Sequence, residues 1–156
     1  MKHAEIDKLD KIILKMLQAA SQQPLTEIAA KAGLSPSTCH RRIKAMEDQG
    51  LITGYTATLD RKQLGFANEF FVEVSLAAQA EETLEKFEKA VQRVPEILEC
   101  HLMSGQFDYL LRIVARDAED YERIHRTKVA RLPGLQRIQS SLALRTVKAG
   151  SGFPIE

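Results

Sequence analysis

Apolar residues in the first fifty positions recur at spacings of three and four, which is the period of a helix with one buried face. The pattern predicts three helices, over residues 6–20, 25–32 and 36–49. Pro24 separates the first helix from the second, and Gly33 supplies a tight turn before the third. Two short helices joined by a glycine-containing turn form a helix-turn-helix, which is the predicted architecture of the N-terminal part.

The ends of the third helix are marked in the sequence. Ser35 is a favourable N-cap, the proline after it suits the first helical position, and Gly50 ends the helix. Cys39, Ile43 and Met46 fall on one side of this helix and are predicted to be buried.

The segment after the third helix predicts a wing and then a linker. Residues 51–60, LITGYTATLD, contain two short strand-like pieces around Thr53 and Gly54, which we expect to form a wing behind the third helix. Residues 61–69 are polar and contain a glycine. The apolar period changes there from that of a helix to that of a strand, so this segment is the predicted linker.

From residue 69 onward the apolar period shortens to two, which is typical of strands. The stretch EFFVEVSLA is the first such strand, and helical spacings return over 81–94. Asp117 is the predicted N-cap of a further helix. Other strands are predicted over 97–103, 109–115 and 136–147. The order βαββαβ predicts a ferredoxin-like domain.

The predicted fold class is therefore α+β, with a winged helix-turn-helix followed by a ferredoxin-like domain. The predicted bounds are 1–60 for the helix-turn-helix, 61–69 for the linker, 70–148 for the ferredoxin-like domain and 149–156 for a tail. Helices cover only one face of such a sheet, whereas the strands are rich in apolar residues on both faces. The second face predicts a partner sheet, most simply that of a second copy.

Composition excludes several classes of protein. The chain has 156 residues, 44% hydrophobic and 28% charged, which is typical of a soluble globular protein. No apolar run is long enough to span a bilayer, and the N-terminal residues show no signal-peptide pattern. Cys39 and Cys100 are too few for a disulfide framework or a zinc cluster. We therefore expect a protein of the reducing cytoplasm, with no metal or other cofactor.

Charge is distributed unevenly along the chain. Residues 1–62 contain 10 Lys/Arg and 7 Asp/Glu, a balance of +3, whereas residues 63–156 contain 12 and 14, a balance of −2. No acidic residue occurs over 28–46. Basic side chains, and hydroxyls near a helix N-terminus, bind the phosphates and base edges of double-stranded DNA. The candidate DNA-binding residues are Ser35, Ser37, Thr38, Arg41, Arg42 and Lys44.

The alternative for this segment is an ordinary solvated helix face. The combination of a helix-turn-helix with an outward face that is basic and free of acid favours DNA. Alanine in place of Arg41 or Arg42 is accordingly predicted to weaken operator binding and to leave assembly intact.

Two stretches, GLSPSTCHRRIKAMEDQGLITGYTATLD and ECHLMSGQFDYLL, closely resemble the Lrp/AsnC family of bacterial transcription factors in their order and spacing, and look nearest to its leucine-responsive branch. The resemblance extends from about Leu9 to Lys148. It implies a winged helix-turn-helix that binds DNA and a ferredoxin-like domain that senses amino acids. It also implies dimers formed through the sheets, octamers of four dimers, and an effector bound between dimers.

The same resemblance places the turn after the second predicted strand in the effector pocket. Backbone N–H groups of a glycine-containing turn can hold the effector carboxylate, and Asp108 can pair with its ammonium. The expected effector is leucine, methionine or a similar apolar amino acid. The candidate effector-binding residues are Leu102, Met103, Ser104, Gly105, Gln106, Phe107 and Asp108. Ala118 and Ser141 depart from the leucine-responsive branch, which leaves the identity of the effector open.

Other functions receive less support. An enzyme is disfavoured, because the sequence has no nucleophile elbow, P-loop, dinucleotide fingerprint or metal-spaced cluster, and Asp108 has no partner acid nearby. RNA-recognition domains share the βαββαβ order, but YLLRIVA lacks their Lys/Arg-Gly-aromatic signature. An architectural DNA-binding protein without an effector and an amino-acid-sensing subunit of an enzyme remain alternatives.

Overall fold

The computed structural model describes residues 6–150 and 152–156. The chain divides into two compact units. One contains the described residues up to 58 together with 148–150 and 152–156, and the other contains Leu59–Val147. Within the described ranges, no helix is long and apolar enough to cross a membrane.

Three helices build the first unit, as predicted. They are α1 (Lys8–Ala19), α2 (Leu25–Ala32) and α3 (Pro36–Asp48). A capping box starts α1: the Asp7 carboxylate accepts the Asp10 N–H, and the Asp10 carboxylate accepts the Asp7 N–H. Gly33 ends α2 in the left-handed conformation, with φ 69°, so the chain turns sharply into α3.

The core of the first unit lies where the three helices meet. Ile13, Ile28 and Cys39, one from each helix, are almost fully buried. Burial raises the pKa of the Cys39 thiol, because the thiolate would lose its hydration. Cys39 is therefore the small buried hydrophobe that the helical pattern predicts.

Residues 51–60 do not form the two predicted strands. Leu51 and Ile52 are tied to α3 by N–H groups that donate to the Met46 carbonyl at 2.9 and 3.2 Å. Residues 53–60 have no regular secondary structure, and all of them are exposed. A hairpin of two short strands is only marginally stable in water unless it packs an apolar face, and residues 53–60 bury no apolar face.

The second unit has the predicted βαββαβ order. Its elements are β1 (Asn68–Leu76), α4 (Glu81–Val91), β2 (Ile97–Leu102), β3 (Tyr109–Ala115), α5 (Ala118–Thr127) and β4 (Leu135–Leu142). The strands form one antiparallel sheet in the order β2-β3-β1-β4. The ferredoxin-like prediction is thus confirmed.

The last strand is shorter than predicted, because β4 ends at Leu142 and not at residue 147. Phe70 pairs with Leu142, and the Ala143 N–H donates to the Glu69 carbonyl at 2.9 Å. β1 itself begins at Asn68, so the residues after Ala143 have no strand to pair with.

Helices α4 and α5 cover one face of the sheet. Val72 and Leu111 from the central strands, Phe87 from α4 and Ile124 from α5 are fully buried in a single cluster. The Tyr109 ring lies beside that of Phe87, with the ring centres 4.6 Å apart. This cluster holds β1 and β3 at the centre of the sheet.

The opposite face of the sheet, called here the open face, is less apolar than predicted. On β1 it carries Glu69, Phe71 and Glu73, since alternate residues of a strand point to the same side. Arg112 on β3 binds two carboxylates, at 2.5 Å from Glu69 and 2.6 Å from Glu99. Glu69 is 5% exposed and depends on this partner. Phe71 therefore lies beside charged residues, with Leu110 of β3 as its apolar diagonal neighbour on the same face.

The boundaries of the two units differ from the predicted bounds. Residues 61–69 belong to the second unit, and the Leu64 N–H donates to the Asp60 carbonyl at 3.1 Å in a turn at their start. The tail belongs to the first unit. The Gln18 side-chain amide donates to the Phe153 carbonyl at 2.8 Å and accepts the Phe153 N–H at 2.9 Å.

Candidate functional site

One face of α3 is exposed and free of acid over its first turns. Ser37, His40, Arg41 and Lys44 are exposed and follow one another at spacings of three and four, or lie side by side. Lys44 has an ion-pair partner, whereas Arg41 has none in the part of the chain that the structure describes. The Arg41 guanidinium is therefore free to bind a phosphate or a base edge.

Ser35 organises the N-terminus of α3. Its Oγ accepts the Thr38 N–H at 3.2 Å, which confirms the predicted N-cap. The same Oγ lies 3.2 Å from the Ser37 Oγ and 2.8 Å from the Thr38 Oγ1. Three hydroxyls are thus gathered at the positive end of the helix dipole, which is a favourable arrangement for a phosphate oxygen.

Arg42 is held inside the first unit. Its Nη1 donates to the Asp7 carboxylate at 2.7 Å and to the Asp10 carboxylate at 2.8 Å, so it joins α3 to the start of α1. The pKa of Asp7 is lowered, chiefly because the Asp10 N–H and then the Arg42 guanidinium stabilise its charged form. Arg42 thus joins two helices, although the sequence predicts that this residue contacts DNA.

Replacing Arg42 with alanine should lower the midpoint of thermal unfolding by about 4–8 °C, the shift that corresponds to about 1 kcal/mol in a domain of 60–100 residues. Asp10, with 16% of its side chain exposed, would lose its cation. Circular dichroism would measure the midpoint. Arg126→Ala, on the exposed surface of α5, is the matched control. If Arg42→Ala melts like wild type and weakens only DNA binding, the structural role is wrong.

Lys44 and Tyr55 each form a hydrogen bond with a carboxylate near the end of α3. Lys44 lies 2.8 Å from Asp48 in an exposed pair one helical turn apart, which is weak enough to exchange for a phosphate. The Tyr55 hydroxyl donates to Glu47 at 2.9 Å. Although half of the residue is exposed, partial loss of hydration and the Glu47 charge raise the pKa of Tyr55 to about 12, so it remains a neutral donor that binds the segment after α3 to the helix.

His40 also lies on this face, although it is not among the DNA-binding residues predicted from the sequence. It lies three residues after Ser37 and four before Lys44, and it is exposed. The helical spacing alone therefore indicates that His40 shares a face with Ser37 and Lys44, since residues at these intervals lie on one side of a helix.

The turn between β2 and β3 is fastened to the sheet by Asp108. The Asp108 N–H donates to the Val74 carbonyl at 2.9 Å. Its carboxylate accepts the Leu76 N–H and the Gln79 side-chain amide, each at 2.7 Å. The carboxylate thus completes the hydrogen bonding at the end of β1, and its pairing with an effector ammonium stays a prediction.

Part of the predicted effector turn lines a concavity, called here the open-face cavity. Its volume is about 130 Å³. Its lining residues are Glu73, Ser75, Gln106, Phe107, Arg137 and Gln139. Leu102, Met103 and Asp108 do not line it. The residues from β1 and β4 could not be recognised from the sequence, because only the pairing of these strands brings them beside the turn.

Two family models match this chain. Residues 69–153 match the Lrp/AsnC ligand binding domain, and residues 6–53 match a winged helix-turn-helix DNA-binding domain. The chain belongs to the Lrp/AsnC family. The DNA-binding match lies in the first unit and the ligand-binding match lies in the second unit up to residue 147, so this Lrp/AsnC protein has one domain for DNA and another for a ligand.

Relatives of the Lrp/AsnC chain are similar over almost their whole length. The leucine-responsive regulatory protein of Klebsiella pneumoniae is 36% identical over 152 residues, which are 97% of this chain and 93% of that protein. The proline dehydrogenase transcriptional activator of Rhodobacter capsulatus is 41% identical over 142 residues, 91% of this chain and 92% of that protein.

A solved structure shows the same fold. It is a transcriptional regulator from Neisseria meningitidis in complex with L-methionine, 32% identical, with a TM-score of 0.90 over 95% of this chain and 96% of that one. These similarities make the Lrp/AsnC chain a transcriptional regulator and not an enzyme.

Proposed function

We propose that this regulator binds double-stranded DNA through the exposed face of α3, and that an amino acid bound to its second unit changes its assembly or its DNA binding. The observation that carries the DNA contact is Arg41, an exposed cation without an ion-pair partner among the described residues. Membership of the family supports the division of labour between the two units. A bacterial regulator of this kind acts in the cytoplasm, where its DNA is.

The proposed DNA contacts divide by chemistry. Ser37 and Thr38 bind a phosphate together with N–H groups of the first turn. Arg41 reads a guanine with two hydrogen bonds or neutralises a phosphate, and His40 beside it bonds to a base edge. Lys44 binds a phosphate after leaving Asp48. Ser35 caps the helix and Arg42 is paired with two carboxylates, so both act by holding α3 in place.

The proposed effector is a small apolar amino acid of the leucine or methionine type. Support comes from the ligand-binding family model and from the L-methionine complex of the Neisseria relative. The proposed pocket includes the turn from Leu102 to Asp108, in which Gly105 adopts φ 153° and so provides a conformation that other residues rarely take. Asp108 shapes this pocket by fixing the turn.

The proposed assembly is a dimer formed through the open face, with four dimers in an octamer. A partner sheet would cover Phe71, a large apolar residue that is 38% exposed. A two-fold dimer presents two α3 helices, so its DNA sites should be pseudo-palindromic. A ligand shared between dimers would link occupancy to assembly, because a ligand favours the state that it binds better.

Calorimetric titration of the full chain with the twenty common amino acids tests the sensing function. We expect heat of binding for L-methionine, L-leucine or a similar apolar amino acid, and little for aspartate or lysine, whose charged side chains need a partner in an apolar site. Sedimentation with and without the bound amino acid would show the change in assembly. DNA binding in a gel shift combined with no heat from any amino acid would favour an architectural DNA-binding protein.

A further inference from the structure

The open face of the sheet carries two opposite charges that have no ionic partner. Neither Glu73 nor Arg137 forms an ion pair within residues 6–150 and 152–156. On the same face, by contrast, Arg112 binds the carboxylates of Glu69 and Glu99. Glu73 and Arg137 therefore remain available for a partner outside the chain.

Strand pairing places these two charges side by side. Glu73 pairs with Gln139 and Ser75 pairs with Arg137, so Glu73 and Arg137 are diagonal neighbours on the same face of β1 and β4. Diagonal neighbours in antiparallel strands have Cβ atoms about 7 Å apart. The exposed Arg137 side chain donates to the neutral Gln139 side chain at 3.2 Å. An acid and a base thus lie next to each other, and each presents an unpaired charge.

Covering the open face would make these unpaired charges costly. Glu73 is already half-buried on a central strand. A partner sheet over this face, as in the proposed dimer, would remove water from both side chains. A buried charge without a partner of opposite sign is strongly destabilising. The open face is therefore suited to a dimer only if the second copy supplies a cation to Glu73 and an anion to Arg137.

Two-fold symmetry supplies both partners from the same two residues. In an isologous interface, a contact of one residue with another is always accompanied by the reverse contact. A two-fold axis that passes between Glu73 and Arg137 brings Glu73 of each copy over Arg137 of the other. Interfaces pack as closely as protein interiors, and the open-face cavity of about 130 Å³ gives room for the long arginine side chain of the second copy.

We propose that Glu73 and Arg137 form two reciprocal ion pairs across the two-fold axis of the dimer, with Glu73 of each copy binding Arg137 of the other. The inference rests on the dimer proposed above and deepens it, because it names the contacts that select a second copy. These charges make the open face complementary to itself and oppose a chain of the same fold that has other charges at the two positions. Phe71 contributes apolar area, and the ion pairs determine register and partner.

Charge reversal tests the pairs, because the two reversed chains should reject themselves and accept each other. A homodimer of Glu73→Arg opposes arginines at both contacts, and a homodimer of Arg137→Glu opposes glutamates. Each variant should therefore dimerise at least about 10-fold more weakly than wild type in sedimentation equilibrium. When the two variants are co-expressed with different tags, every arginine faces a glutamate again. Native mass spectrometry, at a dilution that leaves only dimers and monomers, should show more mixed dimers than chance association gives.

The double variant Glu73→Arg/Arg137→Glu distinguishes ion pairs between copies from an ion pair within one chain. Its own dimer has both contacts restored, so it should dimerise like wild type. Together with wild type it opposes like charges at both contacts, so the two chains should sort into homodimers. An ion pair within the chain would also survive the double reversal, but the double variant would then mix freely with wild type. Free mixing would overturn the proposal.

Matched controls separate the position of a charge from its sign. Glu82→Arg and Arg126→Glu make the same reversals on exposed surfaces of α4 and α5, so these two chains should dimerise like wild type and mix at chance. Circular dichroism checks the folding of every variant. If a reversed chain does not fold, Glu73→Gln and Arg137→Gln replace it, and each should still weaken the dimer. Wild-type dimerisation of both glutamine variants would overturn the proposal.

A third variant separates failure of the ion pairs from failure of the proposed dimer. Phe71→Gln removes apolar area from the open face and leaves both charges in place, so it should weaken a dimer formed through that face. A weaker dimer in Phe71→Gln, combined with chance mixing of the reversed chains, would overturn the ion pairs and leave the open-face dimer intact. Wild-type dimerisation of Phe71→Gln and of both reversed chains would show that the dimer uses another face, and the proposed assembly would fail together with the ion pairs.

Discussion

Replacing Arg41 with alanine will weaken binding to operator DNA by about 10- to 100-fold at constant salt, because a bidentate contact to guanine contributes about 1–3 kcal/mol of discrimination. The guanidinium is exposed and has no ion-pair partner among the described residues, so its loss should leave folding unchanged. A gel shift on a site selected from random-sequence DNA would measure the affinity, and circular dichroism would confirm an unchanged thermal midpoint.

The same experiment distinguishes a base contact from a phosphate contact. Arg41→Lys keeps the charge but loses the fork of donors, so it should restore affinity only if Arg41 binds a phosphate. A phosphate contact would also reduce the slope of log affinity against log salt by about 1 in Arg41→Ala. Arg126→Ala on α5 is the matched control. Wild-type affinity in Arg41→Ala, or binding that ignores salt, would contradict the proposed interface.

Replacing Asp108 with alanine will destabilise the second unit by about 1 kcal/mol, because the part-buried Leu76 N–H loses its acceptor. The variant loses both carboxylate contacts, to the Leu76 N–H and to the Gln79 amide. The turn that carries Phe107 should then loosen, so amino-acid affinity should fall together with stability. Thermal denaturation and titration calorimetry on the same sample would measure the two effects.

Asp108→Asn is the control that separates structure from ligand contact. Its amide oxygen can still accept the Leu76 N–H, and the Gln79 amide can rotate to offer its oxygen to the new NH₂ group. We therefore expect near wild-type stability and unchanged amino-acid affinity. If Asp108→Asn is stable but no longer binds the amino acid, Asp108 is itself an ammonium anchor, as the sequence analysis expects.

Local signals predicted the elements of this protein well. Ser35 caps α3 and Asp117 caps α5, each accepting an N–H three residues further on, as their positions suggested. β3 has the predicted bounds of 109–115. Caps and apolar periodicity act over a few residues, so they can be recognised without knowledge of the rest of the fold.

Signals that depend on a distant partner were not recognised. Residues 51–60 have strand-like composition, but a strand requires a neighbour and an apolar face, and residues 53–60 have no paired strand and are all exposed. Arg42 is basic and adjacent to Arg41, yet Asp7 and Asp10 from another helix take up its charge. The spacing within α3 places Arg41 outward and Arg42 at the flank of that face, but it does not show that Arg42 has carboxylate partners in another helix.

The sequence by itself determined the three helices, the βαββαβ order, the buried cysteine of α3 and the family, because each depends on residue type at short spacing or on continuous motifs. The tertiary structure alone decided which charges are free. In the fold, Arg42 binds Asp7 and Asp108 accepts a backbone N–H. The pairing of β1 with β4 also brings Glu73 beside Arg137, although these strands are far apart in sequence. The availability of a charged group depends on what surrounds it in space, and only the folded chain specifies those surroundings.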